Sequence, residues 1–214
     1  MKTIALVAGG PKENLPVLTD YHHEGVIWVG IDRGTLYIQE SGLPLTFAFG
    51  DFDSITNKER NELTKAFTNL SIFSAEKDKT DTELALEWAV QQSHELIQIF
   101  GATGGRIDHM LGNIQLLFKT IKYDSKIEII DRQNHITLFT PGTYTIKKHK
   151  EWKYISFIPI SHEVKGITLE GFKYPLNNCH ISIGSTLCIS NELIHEQGTF
   201  SFHDGIILMI RSRD

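Results

Sequence analysis

Cysteine is scarce in this chain: Cys179 and Cys188 are the two in 214 residues. They stand nine apart with no histidine at metal-site spacing, so a disulfide framework and a thiolate zinc site are not expected, and the two thiols read as incidental. The ten histidines form no HExxH, and there is no paired CxxC, which argues against zinc chemistry. Long apolar runs are also lacking. The first run, Ile4 to Ala8, is too short for a signal h-region or a bilayer span, so a cytoplasmic chain without membrane contact is expected. Basic charge is in short supply as well, with 21 Lys/Arg against 26 Asp/Glu and a net charge of −5. A broad nucleic-acid partner would need a basic footprint, so that function class is excluded. There is no internal repeat or low-complexity stretch.

What remains is ordinary globular composition, 41% hydrophobic and 22% charged. The length suits one large domain or two small ones. Acid is concentrated early: residues 1–124 hold 11 Lys/Arg against 17 Asp/Glu, whereas 125–214 hold 10 against 9. The hydrophobic pattern changes character at the same place. Ile4 to Ala8, Val26 to Val29, Leu45 to Ala48, Ser71 to Ser74 and Leu96 to Phe100 are short apolar runs bounded by turn residues, suited to strands buried on both faces. Between them, Thr56-x-x-Glu59 and Thr80-x-x-Glu83 have capping-box spacing. Leu84, Ala85 and Trp88, and later Leu111, Ile114, Leu117 or Phe118, and Ile121, recur at helical period. Strand alternating with helix predicts an open, mostly parallel α/β sheet with flanking helices over residues 1–124.

From Lys126 onward the helical period is gone. Lys126 to Ile130, Ile136 to Phe139, Thr143 to Lys147, Tyr154 to Ile158, Val164 to Leu169, Leu187 to Ile189, Thr199 to Phe202 and Ile206 to Ile210 read as short strands. Pro141-Gly142 and Asp204-Gly205 supply turns, the second a hairpin signal. Residues 125–214 are therefore expected to form an antiparallel β-sandwich or barrel. The one basic run, Lys147-Lys148-His149-Lys150 with Lys153, reads as a solvated strand-loop face.

Chemistry-bearing residues gather at strand ends in the first half. Gly50-Asp51-Phe52-Asp53-Ser54 follows a strand and precedes a capped helix. Carboxylates at i and i+2 after a glycine can converge on Mg²⁺, an ion that takes oxygen ligands and substrate phosphates; they equally suit capping of a turn. In Lys77-Asp78-Lys79-Thr80-Asp81, Thr80 caps a helix and Asp81 enters its first turn, near the positive end of the dipole. Lys77 or Lys79 could neutralise phosphate as point cations. Gly101-Ala102-Thr103-Gly104-Gly105-Arg106-Ile107-Asp108-His109 is a glycine turn running into a helix, a place where backbone N–H groups approach an anion. Arg106 could grip a phosphate or pair with Asp108. Asp32 adds an acid after the second strand. In open α/β sheets ligands bind beyond the carboxyl ends of the strands, so one cleft for a metal-bound polyphosphate explains all four loops.

These motifs, in their order and spacing, resemble those of the thiamine pyrophosphokinase family, bacterial type. Gly171-Phe172-Lys173-Tyr174-Pro175-Leu176 and Ser190-Asn191-Glu192 extend the likeness into the second half, so that it spans about residues 3–210. The resemblance implies an ATP- and magnesium-dependent diphosphotransferase assembled as a homodimer, with substrates held between subunits, that moves the β,γ-diphosphate of ATP to thiamine and releases AMP. It implies Asp51, Asp53 and Asp81 as magnesium-site acids, with Lys77 beside them and Asp32 close by. Ser54, Lys79, Thr80, Gly104, Gly105, Arg106 and Asp108 fall to the ATP pocket, and Tyr174, Ser190 and Asn191 to thiamine. Animal relatives carry tryptophan at the position of Tyr174, so the tyrosine offers a smaller stacking face. The competing readings are a pterin diphosphokinase of the same reaction class and a thiamine or nucleotide sensor without turnover.

Overall fold

The computed structural model describes residues 2–50, 71–73 and 78–214. The helix expected after Thr56, together with Asp51, Asp53, Ser54 and Lys77, lies outside the described residues. The chain divides into two compact units, Met1–Arg132 and Gln133–Asp214.

In the first unit, strands β1 (Thr3–Val7), β2 (Val26–Ile31), β3 (Leu45–Phe49), β4 (Ser71–Phe73), β5 (Leu96–Phe100) and β6 (Ile127–Ile130) lie in the order β4-β3-β2-β1-β5-β6, and every neighbouring pair is parallel. All five residues of β1 and all four of β6 are buried, as continuous apolar runs require. The run at Lys126 to Ile130 therefore extends the parallel sheet and does not begin the antiparallel half. A short apolar run has no feature that tells parallel from antiparallel pairing.

Among the described residues four α-helices accompany this sheet: α1 (Gly34–Glu40), α2 (Asp81–Ala89), α3 (Ile107–Leu116) and α4 (Lys119–Tyr123). Thr80 caps α2, its hydroxyl accepting from the Glu83 backbone N–H at 3.2 Å. Helix α1 has no such cap. It starts from Arg33 without a side-chain capping hydrogen bond, so no start signal marks it in the sequence. The apolar series after Asp108 behaves unlike a buried face. Leu117 is fully buried, but Leu111 and Ile121 are 51% and 45% exposed and the helix breaks between Leu116 and Lys119.

The second unit is all β. Strand β13 (Ile207–Ser212) pairs antiparallel with both β7 (Asn134–Phe139) and β9 (Tyr154–Pro159). A four-stranded antiparallel sheet runs β11 (Leu176–Ser182), β10 (Glu163–Glu170), β12 (Gln197–Phe202), β8 (Gly142–Lys147). Phe157 and Met209 from the first set pack with Val164, Leu169, Phe200 and Phe202 from the second in one apolar core, which makes the unit a sandwich. Phe200 sits at its centre, 4.9 Å from Phe157, 5.0 Å from Tyr144 and 5.1 Å from Phe139, measured between ring centroids.

The hairpin reading of Asp204-Gly205 changes here, while Pro141-Gly142 is the turn expected. Asp204-Gly205 joins β12 to β13, and Pro141-Gly142 joins β7 to β8, so each carries the chain from one sheet to the other and neither closes a hairpin. Leu187 to Ile189 is a turn, while Leu176 to Ser182, too polar to announce itself, is the edge strand. Both cysteines are free, and burial pushes the Cys188 thiol up to about 11, which leaves it protonated at neutral pH. Among the described residues no helix is long and apolar enough to cross a membrane.

Candidate functional site

Strand order reverses between β1 and β5, and the loops beyond these two strands part there. They are held by main chain. The Ala8 N–H donates to Phe100 O at 2.8 Å and the Gly10 N–H to Gly101 O at 2.9 Å. The approach is close enough to demand glycine. A Cβ on Gly101, which also has a φ of 64°, would lie 2.3 Å from Ala8 O. Tyr37 from α1 donates its hydroxyl to Gly10 O at 3.1 Å, and Asn113 from α3 donates its amide to Ala102 O at 2.9 Å, so flanking helices clamp both loops. Beneath them the buried Thr103 hydroxyl donates to Asp131 at 2.7 Å.

A cavity of about 510 Å³ opens at this junction. Gly9 and Gly10, Asp32 and Arg33, Gly104, Gly105 and Arg106 line it, with Thr82 from the first turn of α2. Asp32 sits in left-handed backbone (φ 48°), its N–H donating to Phe49 O at 2.9 Å. Its carboxylate packs against Gly50, where a Cβ would fall 2.0 Å from the Asp32 Oδ1. Gly50, the last described residue before Asp51, thus lies against Asp32. Among the described residues no three carboxylate, histidine or thiol groups form a metal site by themselves.

Thr80 and Asp108 line a neighbouring cavity of about 530 Å³, which shares His109 and Asn113 with the first. Lys79 does not enter either hollow. Its ammonium pairs with Glu87 at 2.8 Å, and Lys119 pairs with the same Glu87 at 2.8 Å and with Glu83 at 3.3 Å. Hydrogen bonds from Lys119 first, and Lys79 second, draw the Glu87 carboxyl down to about 2. This network ties α2, whose first turn carries Asp81, to the start of α4. Arg106 pairs with Asp108 through both Nε (3.1 Å) and Nη2 (2.6 Å), and the guanidinium brings the Asp108 carboxyl to about 2. Both side chains are well exposed, so solvent screens the pair and an incoming phosphate can compete for the same fork.

In the second unit, Tyr174, Ser190 and Asn191 come together. Asn191 is buried, and its Oδ1 accepts from the Tyr174 N–H at 3.0 Å and the Glu192 N–H at 2.9 Å, while its Nδ2 donates to Tyr174 O at 2.8 Å. The amide is thus committed to fixing the backbone under Tyr174, whose ring is 58% exposed. Ser190 also adopts left-handed backbone (φ 57°), held by its N–H donating to the Ser156 hydroxyl at 2.9 Å.

The structure therefore gathers Asp32, Gly104, Gly105 and Arg106 on one cavity and places Thr80 and Asp108 on the next. It sets Asp81 in the first turn of α2 and directs Lys79 to Glu87. Asp51, Asp53, Ser54 and Lys77 lie outside the described residues. Not singled out from sequence are Gly9-Gly10, Tyr37, Thr82 and Asn113. A glycine pair directly after the first apolar run is the signal available for the first of these; the others act through single hydrogen bonds or wall contacts that leave no spacing signature.

Comparison with known proteins agrees with both halves. The family described as thiamin pyrophosphokinase, catalytic domain, matches residues 18–130, and that described as thiamin pyrophosphokinase, vitamin B1 binding domain, matches residues 143–207. Thiamine pyrophosphokinase of Bacillus subtilis (strain 168) is 58% identical over 214 residues, covering all of both chains. A crystal structure of the Bacillus subtilis protein superposes with a TM-score of 0.97 over the whole of each chain. One from Geobacillus thermodenitrificans, 55% identical, superposes at 0.94 over 99% of this chain and 98% of that one. The chain belongs to the thiamine pyrophosphokinase family.

Proposed function

We propose that this protein transfers the β,γ-diphosphate of ATP to the hydroxyethyl oxygen of thiamine, giving thiamine diphosphate and AMP. The observation that carries the reading is the convergence of glycine backbone, Asp32 and Arg106 on one cavity at the switch point of a parallel sheet. Polyphosphate needs close N–H approach and cationic relief, and this cavity offers both. In the reaction the thiamine oxygen forms a bond to the β-phosphorus. The bond from that phosphorus to the α,β-bridging oxygen breaks, and the hydroxyl proton passes to a carboxylate or to solvent. Most of the catalytic task is then alignment and charge neutralisation.

Magnesium fits the donor set by its chemistry: Asp32, Asp51, Asp53 and Asp81 are all hard oxygen donors, and Gly50 brings the chain to Asp32 just before Asp51. When bound there, the ion would neutralise charge on the phosphate oxygens. Around it, Arg106 would orient the nucleotide tail, and the clamp of Tyr37 and Asn113 would keep the two glycine loops apart at a fixed width. Tyr174 would offer an aromatic face to the thiazolium cation. We also read the protein as a cytoplasmic homodimer. Supporting the dimer, Ile107 and Leu111 on α3, and Phe118 and Ile121 at the start of α4, are exposed apolar side chains.

Incubation with ATP, Mg²⁺ and thiamine, followed by separation of the nucleotides, tests the activity. AMP formed in step with thiamine diphosphate is expected; ADP would exclude diphosphoryl transfer. A hydroxymethylpterin supplied in place of thiamine should yield no AMP. Asp51→Asn and Asp81→Asn should each abolish turnover at unchanged melting temperature, and full activity of both at limiting Mg²⁺ would remove the metal assignment.

A further inference from the structure

The basic run is the solvated face expected, its side chains all exposed, and it also rims a hollow. Lys148 donates its backbone N–H to Glu196 O at 2.8 Å, and this draws the 148–153 segment against the 192–196 segment. Between them is a cavity of about 540 Å³. Its apolar walls are Ile155, Leu193 and Trp152, all buried. Trp152 is fixed from outside by the Arg213 guanidinium, 5.1 Å from its ring centroid.

Charge around this hollow is unbalanced. Lys148, Lys150 and Lys153 line it with His149, against Glu192 and Glu196. Glu192 is already taken by Lys173 at 3.0 Å, and Glu151, the acid nearest in sequence, pairs with Arg213 at 2.8 Å. Lys153 donates to the Tyr154 hydroxyl at 3.2 Å, and the Lys153 and Lys148 ammonium groups feel the Glu192 carboxylate, already held by Lys173, without reaching ion-pair distance. Among the described residues, the side chains of Lys148 and Lys150 reach no carboxylate at ion-pair distance. Crowded cations beside low-dielectric walls raise the local positive potential, and a multiply charged anion relieves it. Ammonium groups are point cations on flexible stems, which suits the several oxygens of a phosphate chain better than a single planar carboxylate.

We infer that this hollow is a second anion site, one that binds a diphosphate group on its own or as part of a small molecule, without a metal. It is separate from the proposed catalytic reading and does not depend on it. It does adjoin the motif that shapes the Tyr174 loop, because Glu192 both lines the hollow and donates its N–H to Asn191.

The test is titration calorimetry of the full-length protein with inorganic diphosphate in EDTA, where a carboxylate-lined cleft without its cation repels the anion. Saturable binding is expected, weakening as salt is raised and falling at least tenfold in Lys148→Gln/Lys150→Gln. Both side chains are exposed, so circular dichroism should report an unchanged fold; Lys150→Gln alone should give an intermediate loss. Arg106→Gln should leave this binding intact. Repeating the titration with thiamine diphosphate and with ADP assigns the source: competition by either marks an organic diphosphate, and its absence marks the free anion. Absence of saturable binding in EDTA, an affinity unchanged in the double variant, or loss of binding in Arg106→Gln would each overturn the inference.

Discussion

Asn191 uses each end of its amide on backbone, and no shorter side chain can bridge Tyr174 N–H, Tyr174 O and Glu192 N–H together. Asn191→Ala should therefore destabilise the protein by roughly 2–3 kcal/mol, since each net hydrogen bond contributes about 1 kcal/mol and the groups left behind are partly buried. Urea unfolding measures the loss, and steady-state kinetics should show KM for thiamine rising more than kcat falls. A KM that does not move would detach Asn191 from the thiamine side. Gly101→Ala tests the first unit. The added methyl meets Ala8 O in a left-handed backbone position, so a loss of about 1–3 kcal/mol and a weakened grip on ATP are expected together. Residue-scale features of this kind were unequally legible. Asp32 and the 104–106 glycine turn stand out because an acid or a glycine pair after an apolar run is a local pattern. Tyr37 and Asn113 do not, because their work is to hold a carbonyl that is distant in sequence.

Helix α2 is a case where local and tertiary signals agree. Its cap is written in Thr80-x-x-Glu83, and the pairing of Glu87 with Lys119 and Lys79 then fixes it against the next helical layer. The Glu87 carboxyl lies at about 2, below its ordinary value near 4.5, so its stabilising contribution is complete above about pH 4.5 and is lost as pH falls toward 2. Glu87→Gln should accordingly lower the melting temperature at pH 7 and flatten its decline across that acid window. A variant whose melting curve tracks the parent at every pH would show that the network is energetically idle. Among strands, β1, β2, β3 and β5 were readable as continuous apolar runs. Edge strand β11 was not, because Asn177, Asn178 and His180 face solvent and erase the pattern. The 127–130 run was visible as a strand but not as a parallel one, since partner direction is decided by topology and is not encoded in four apolar residues.

At the scale of the whole molecule, the two units follow the division of the sequence by charge and period: an acid-rich parallel sheet, which under the proposed function would take the nucleotide, and an antiparallel sandwich, which would take the acceptor. The exposed apolar side chains of Ile107, Leu111, Phe118 and Ile121 belong to this scale, because apolar surface left open on one copy is a reason for a second. Sedimentation equilibrium should give twice the 24.3 kDa chain mass, and Leu111→Glu should shift it toward the single chain; a monomer at micromolar concentration would withdraw the homodimer. The glycine junction between the first and fifth strands has a pharmacological corollary. A compound reaching into the junction would touch backbone at Gly9, Gly10, Gly101, Gly104 and Gly105, and exchanging one side chain elsewhere on the wall would leave that part of its footing in place. Under the proposed function, discrimination among relatives would have to come from the thiamine side, where the exposed ring of Tyr174 is the shape an inhibitor would meet.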